Sequence, residues 1–182
     1  KCRDCGEPIP WRYPAIELAS AAMWLLALWR FGLTPQLPLA VVFFYMLLVL
    51  AVVDIDHRRL PTPLVAVIAV AAVVAIVASL VTGLPFGPLT GLGGEGWLGN
   101  PAVVAAMGFA LGAGSSVAIA GVYSTLRRVD GLGFGDVRLL GAMGLVLGPY
   151  VLLAYALANV IGVFGALPVL VRARARSRAK EE

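Results

Sequence analysis

The apolar residues of this 182-residue chain gather into long runs separated by short polar turns. Five runs, Pro14 to Trp29, Leu37 to Val53, Pro63 to Thr82, Pro101 to Leu126 and Val151 to Val171, approach the length that crosses a hydrocarbon core of roughly 30 Å as a helix. A sixth, Val137 to Leu147, is shorter. At ~1.5 Å per residue it rises only about 16 Å, so it must be short, tilted or shielded by its neighbours. Helices are the expected form because a bilayer offers no water to pair free backbone groups. The pattern predicts an all-α, polytopic integral membrane protein of about six transmembrane helices.

Composition agrees. Of the residues, 60% are hydrophobic and 13% charged, too few charges for the surface of a soluble domain. The net charge of +4 raises nucleic acid as a partner. The basic residues, however, sit at the ends of the runs instead of forming a patch interleaved with aromatics, which argues for no nucleic acid and for membrane lipid.

If all six runs cross, the positive-inside rule orients the chain. Lys1, Arg3, Arg12, Arg58, Arg59, Arg127, Arg128, Arg138 and the five basic residues of 172–180 fall on the cytoplasmic side, and Arg30 alone falls outside. Both termini and the turns VVDIDHRRLP and RRVDGLGFGD then face the cytoplasm, while the loop Gly83 to Asn100, without Lys or Arg, faces outward. The tail RARARSRAK reads as an orientation signal that also touches anionic lipid.

Candidate chemistry lies in those two turns. An Asp at the centre of a membrane helix costs ~2.5–3.5 kcal/mol on insertion scales, so ionisable groups near membrane depth are functional candidates by default. Asp54 directly follows the Leu37 to Val53 run, and Asp56, about 200° further round a helix, does not readily face the same partner. Asp136 opens the short sixth run, where a helix N-terminus favours the ionised form. Asp130, beside Arg127 and Arg128, reads as a solvated charge pair.

A single Asp at a helix end is ordinarily a cap, and two features shift the balance. Gly131, Gly133 and Gly135 alternate before Asp136, removing side chains and allowing positive φ, as an extended substrate backbone close to a carboxylate requires. A second membrane-edge acid, Asp54, lies on the same side. Two carboxylates converging on one water share a proton, one serving as base and the other, protonated, polarising a carbonyl. The lone histidine, His57, has no G-x-S-x-G serine to serve. A metal held by Asp54, Asp56 and His57 is disfavoured, because near-adjacent ligands on one turn point in different directions. Two other classes compete with a protease. In a small proton- or cation-coupled transporter the acids would line a path, yet the spans hold few polar groups beyond Asn159 and Ser115. The other rival is a noncatalytic membrane subunit.

KCRDCGEPIPWRYPAIEL, VVDIDHRRLP and GLGFGDVRLLGAMG together resemble the bacterial type IV prepilin peptidases, or leader peptidases, among the GxGD aspartic proteases of the membrane. The resemblance runs from residue 1 to about residue 171. It implies that Asp54 and Asp136 are the catalytic pair, that Gly133 and Gly135 receive the substrate strand, and that no cofactor is required for proteolysis. The implied activity is endoproteolytic removal of a short basic leader from type IV prepilins or secretion pseudopilins at the cytoplasmic face of the plasma (inner) membrane. It divides the chain into a cytoplasmic remnant of a Cys-x-x-C loop (1–13), a transmembrane peptidase domain (14–171) and a basic cytoplasmic tail (172–182).

Cys2 and Cys5 form one Cys-x-x-C pair where many members carry two, so they would supply half of a structural zinc site whose other ligands are missing here. The chain is expected to begin partway through that loop, and the N-methyltransferase activity of bifunctional members is not assigned to it. Among the remaining polar residues, Glu17 is placed to pair with Arg12 or to tune the site. Gly112, Gly114, Ser115 and Ser116 give one helix a small packing face. Asn159 is expected to bond between helices.

Overall fold

The computed structural model describes residues 6–8, 10–57, 60–85, 99–127 and 133–178. Its helices are α1 (Arg12–Phe31), α2 (Leu37–His57), α3 (Thr62–Thr82), α4 (Pro101–Arg127), α5 (Phe134–Leu147) and α6 (Val151–Arg178), with a 3₁₀ turn, Gly148–Tyr150, joining the last two. Each expected apolar run falls within one helix, and the described residues contain no strand.

Four stretches are long and apolar enough to cross a bilayer: Leu37–His57, Thr62–Thr82, Pro101–Leu126 and Phe134–Gly165. The chain is a membrane protein of helical spans, but the tally differs from six in two places. Arg12, Glu17 and Arg30, with Trp24 and Trp29, dilute the apolar content of α1, which is not among the four. The short α5, of 14 residues, is not counted by itself: it falls in one apolar stretch, Phe134–Gly165, that also takes in the 3₁₀ turn and the start of α6.

The outward faces are apolar, as lipid requires. On α3, Val70, Val74, Val77 and Val81 recur at helical spacing and are all more than half exposed. The opposite stripe, with Val65, Ile68 and Ala72, is buried. A helix apolar on both faces belongs in hydrocarbon, where the outer face needs no polar cover. The core joins Ala27 of α1, Leu39, Ala40, Phe43 and Leu50 of α2, Val65, Ile68 and Ala72 of α3, and Ala142 and Val146 of α5.

The tightest seam lies between α4 and α5 and is made by glycine. A Cβ added to Gly108 would fall on the backbone of Gly144 and Gly148, one on Gly112 on the carbonyl of Leu140, and one on Gly144 on the backbone of Gly108. With buried Ser116, the seam on α4 follows the i, i+4, i+8 row. That row adds Gly108 to the expected small face and removes Gly114, around which a Cβ would meet open space. Gly148 ends α5 at φ +55°, a conformation that favours glycine. Among the described residues, Asn159 bonds within its own helix and not between helices: its amide donates to the Tyr155 carbonyl at 2.8 Å.

Candidate active site

One end of the bundle collects the start of α1, the end of α2, the start of α3 and the start of α5. Three observations establish this. The Arg12 guanidinium donates to both carboxylate oxygens of Asp56, at 2.6 and 2.5 Å. Arg138 Nη1 donates to Thr62 Oγ1 at 2.9 Å. Leu60 lies against Gly135, where an added Cβ would come within 3.2 Å of Leu60 Cβ.

Sequence sets each piece locally. Pro61, extended at φ −66° and ψ 118°, precedes α3 and cannot extend the helix before it, and Pro63 is accepted in the first turn because its missing N–H has no helical partner there. Leu60 is anchored against the buried core cluster, so the connection between α2 and α3 is pinned just after the Asp54 turn. Gly133 caps α5 without a side chain, and the Asp136 N–H donates to its carbonyl at 3.0 Å. Asp136 thus sits in the first turn of α5, where unpaired backbone N–H groups favour a negative charge.

The two candidate acids differ in setting. Asp54, in the last turn of α2, is exposed, and Asp136 is half-buried. Among the described residues, the neighbouring charge felt at Asp136 is that of Asp54. The structure therefore brings both acids to one end of the bundle within electrostatic reach of each other, and it directs Asp56 elsewhere, to Arg12. Glu17 does not pair with Arg12, whose fork is occupied by Asp56.

The glycines behave differently from expectation. Gly133 has φ −72°, and neither it nor Gly135 is among the described glycines with positive φ. Gly135 lies inside the first turn of α5, and its missing side chain lets α5 close on Leu60. Sequence reading missed Leu60 and Thr62 as the partners that seat the α5 turn, although both follow the acid turn directly in VVDIDHRRLPT. No group of three or more His, Cys, Asp and Glu able to hold a metal occurs among the described residues. Cys2, Cys5, Asp130 and Gly131 lie outside the described residues.

Beside this end, α1 and α2 diverge around a groove of about 740 Å³, lined by apolar side chains that include Ile16, Trp24, Leu48 and Val52, with Glu17 on its wall.

Comparison with known proteins matches residues 41–169 to the type IV leader peptidase family and residues 1–31 to the bacterial peptidase A24 N-terminal domain. A prepilin leader peptidase/N-methyltransferase of Bacillus subtilis is 30% identical over 179 residues, covering 93% of this chain and 60% of that protein. One of Xanthomonas campestris is 29% identical over 170 residues, covering 89% of this chain and 52% of the relative. A Myxococcus xanthus relative reaches 44% over a shorter stretch of 61 residues, 34% of this chain and 18% of that protein. The chain thus spans a little over half the length of the first two relatives. No solved structure gives a significant match.

Proposed function

The chain belongs to the type IV leader peptidase family, and on that premise we propose that it is a membrane aspartic endopeptidase that removes the leader from type IV prepilin-like precursors. The observation that carries this reading is the convergence of Asp54 and Asp136 at one end of a bundle of apolar helices.

In the proposed reaction a water lies between the two carboxyl groups. The ionised acid takes a proton from the water as it attacks the scissile carbonyl. The protonated acid donates to the carbonyl oxygen, and proton return to the leaving nitrogen completes the break. Two carboxyls close together share a proton because both cannot ionise cheaply, and the half-buried setting of Asp136 beside the exposed Asp54 makes their environments unequal, so that one holds it in preference to the other.

A substrate whose leader is polar and whose next segment is a membrane helix brings its scissile bond to the membrane edge, the level of both acids. The basic residues expected at this end favour the cytoplasmic face of the plasma (inner) membrane. Prepilins and secretion pseudopilins are the proposed substrates, and lipid is the surrounding partner. Gly133 leaves the approach to the Asp136 carboxylate without a side chain of its own, and with Gly135 it is proposed to receive the substrate strand. Cys2 and Cys5 fit two of the four positions of a structural zinc site, which would brace the loop and take no part in bond cleavage. Methyl transfer, named for the relatives, is not assigned to this chain.

The test is direct: the purified chain in detergent is incubated with a prepilin, and mass spectrometry reads the products. Loss of the leader as one intact peptide is expected. An unchanged prepilin would overturn the reading and favour a transport or scaffolding role.

A further inference from the structure

Arg12 is the first residue of α1, and its guanidinium grips a complete turn of α2. Nη1 and Nη2 donate to Asp56 Oδ1 and Oδ2 at 2.6 and 2.5 Å, and Nη2 also lies 3.5 Å from the Val52 carbonyl. A planar fork that matches a carboxylate with two parallel bonds fixes direction as well as distance. Val52 and Asp56 are four residues apart and share one face of the helix. Asp54, midway between them, is turned by about 200° from each. Arg12 therefore holds the back of the turn whose front carries Asp54.

Among the described residues, the side-chain hydrogen bonds that join α1 to that turn all come from Arg12. At the far end the two helices pack through buried Ala27, which shares a cluster with Leu39, Ala40 and Phe43. Between that cluster and the ion pair lies the groove bounded by Ile16, Ser20, Trp24, Tyr45, Val49 and Val52, where the helices stand apart. The helix pair is thus joined at two ends with a gap between. Leu60 holds the chain just after this turn against the core, and the ion pair fixes the same turn from the α1 side, so its loss would loosen the setting of the turn while the rest of the fold stayed packed.

We propose that Arg12 and Asp56 form a positioning clamp that sets the rotation of the last turn of α2, and so the direction in which Asp54 faces Asp136. The proposal rests on the reading of Asp54 and Asp136 as the proteolytic pair. Neither Arg12 nor Asp56 touches the reacting atoms. Both side chains are partly exposed, so their pairing adds little to global stability, and its effect falls on geometry.

The test compares the parent chain with Arg12→Gln, Asp56→Asn, the double variant and Arg12→Lys in a prepilin cleavage assay, with thermal unfolding measured alongside. Each single neutral variant is expected to lose roughly tenfold in kcat with KM within about twofold, because misplacing a catalytic group acts on the chemical step. The double variant should be no slower than either single one, since both remove the same interaction. Arg12→Lys should recover a several-fold part of the loss while lacking the two-pronged grip. Unfolding temperatures should stay within a few degrees of the parent. Should Arg12→Gln fail to fold, Asp56→Asn and Arg12→Lys carry the same comparison. Parental kcat in the single variants, losses that multiply in the double variant, or a loss confined to KM would each overturn the clamp. A parent chain that leaves prepilin uncut would overturn the proteolytic reading instead.

Discussion

Leu60 and Gly135 meet where the connection after α2 passes the first turn of α5: a Cβ on Gly135 would lie 3.2 Å from Leu60 Cβ and 3.3 Å from Leu60 Cδ1. Those distances are slightly too short for comfort, and the end of a leucine side chain is able to yield. Gly135→Ala should therefore slow prepilin cleavage by a few-fold, and Gly135→Val by more, since its branched side chain cannot avoid Leu60 in a helical turn. The decisive comparison is Gly135→Ala with Leu60→Ala: making room at Leu60 should restore part of the rate. If Leu60→Ala gives no recovery, the glycine serves the substrate and not the seating of α5.

The glycine seam gives a prediction about stability. Gly108→Ala or Gly144→Ala would drive a methyl group into backbone on the facing helix, so α4 and α5 would have to separate. Overpacking of this kind costs about 1–3 kcal/mol, read as a lower unfolding midpoint in detergent. Gly114→Ala, which enters open space, should leave the midpoint unchanged or raise it slightly.

How much of this was legible in the sequence follows from what each residue does alone and what it does with a distant partner. The long apolar runs located every helix, because length and hydropathy are local properties. Asp54 and Asp136 stood out because a carboxylate at the edge of an apolar run is conspicuous by itself. Their placement at one end of the bundle was inferred from basic residues, and the ion pair and hydrogen bond that tie α1 to α2 and α3 to α5 agree with it. Pairing with Arg12, one of two roles expected of Glu17, falls to Asp56, which is 44 residues from Arg12 where Glu17 is near in sequence. The contact of Gly135 with Leu60 was hidden for the same reason: its tight neighbour lies on another element, and a Gly-rich turn before an acid suggests substrate room equally well. The number of crossings depends on α1, whose polar residues lower its hydropathy, and on how α5 joins α6 at Gly148, a packing outcome that hydropathy does not encode.

Orientation is checked by cysteine accessibility. With the native cysteines removed, Gly93→Cys and Gly99→Cys should react with an impermeant reagent from outside the cell, and Arg59→Cys and Arg128→Cys only after the membrane is opened. Labelling of Gly93→Cys from the cytoplasmic side would reverse the connection between α3 and α4.

Metal removal separates structure from chemistry. Because the proposed reaction uses two carboxyl groups and water, brief exposure to a chelator should leave most cleavage intact, and so should His57→Ala. A loss of activity that returns on adding a divalent metal, in both experiments, would point to a metal-activated water in place of an acid pair.

The central claim is that Asp54 and Asp136 work as one unit, and the most direct measurement is the cleavage rate of purified Asp54→Asn, Asp136→Asn and the double variant on a single prepilin. Each single variant should lose nearly all activity while inserting and folding like the parent, and the double variant should be hardly slower than either, as for groups whose contributions vanish together. The pH dependence of the parent should follow values that belong to the pair and not to either acid. A purified Asp136→Asn or Asp54→Asn chain that cuts prepilin at a rate comparable with the parent would contradict the account and leave that carboxylate a helix-end charge.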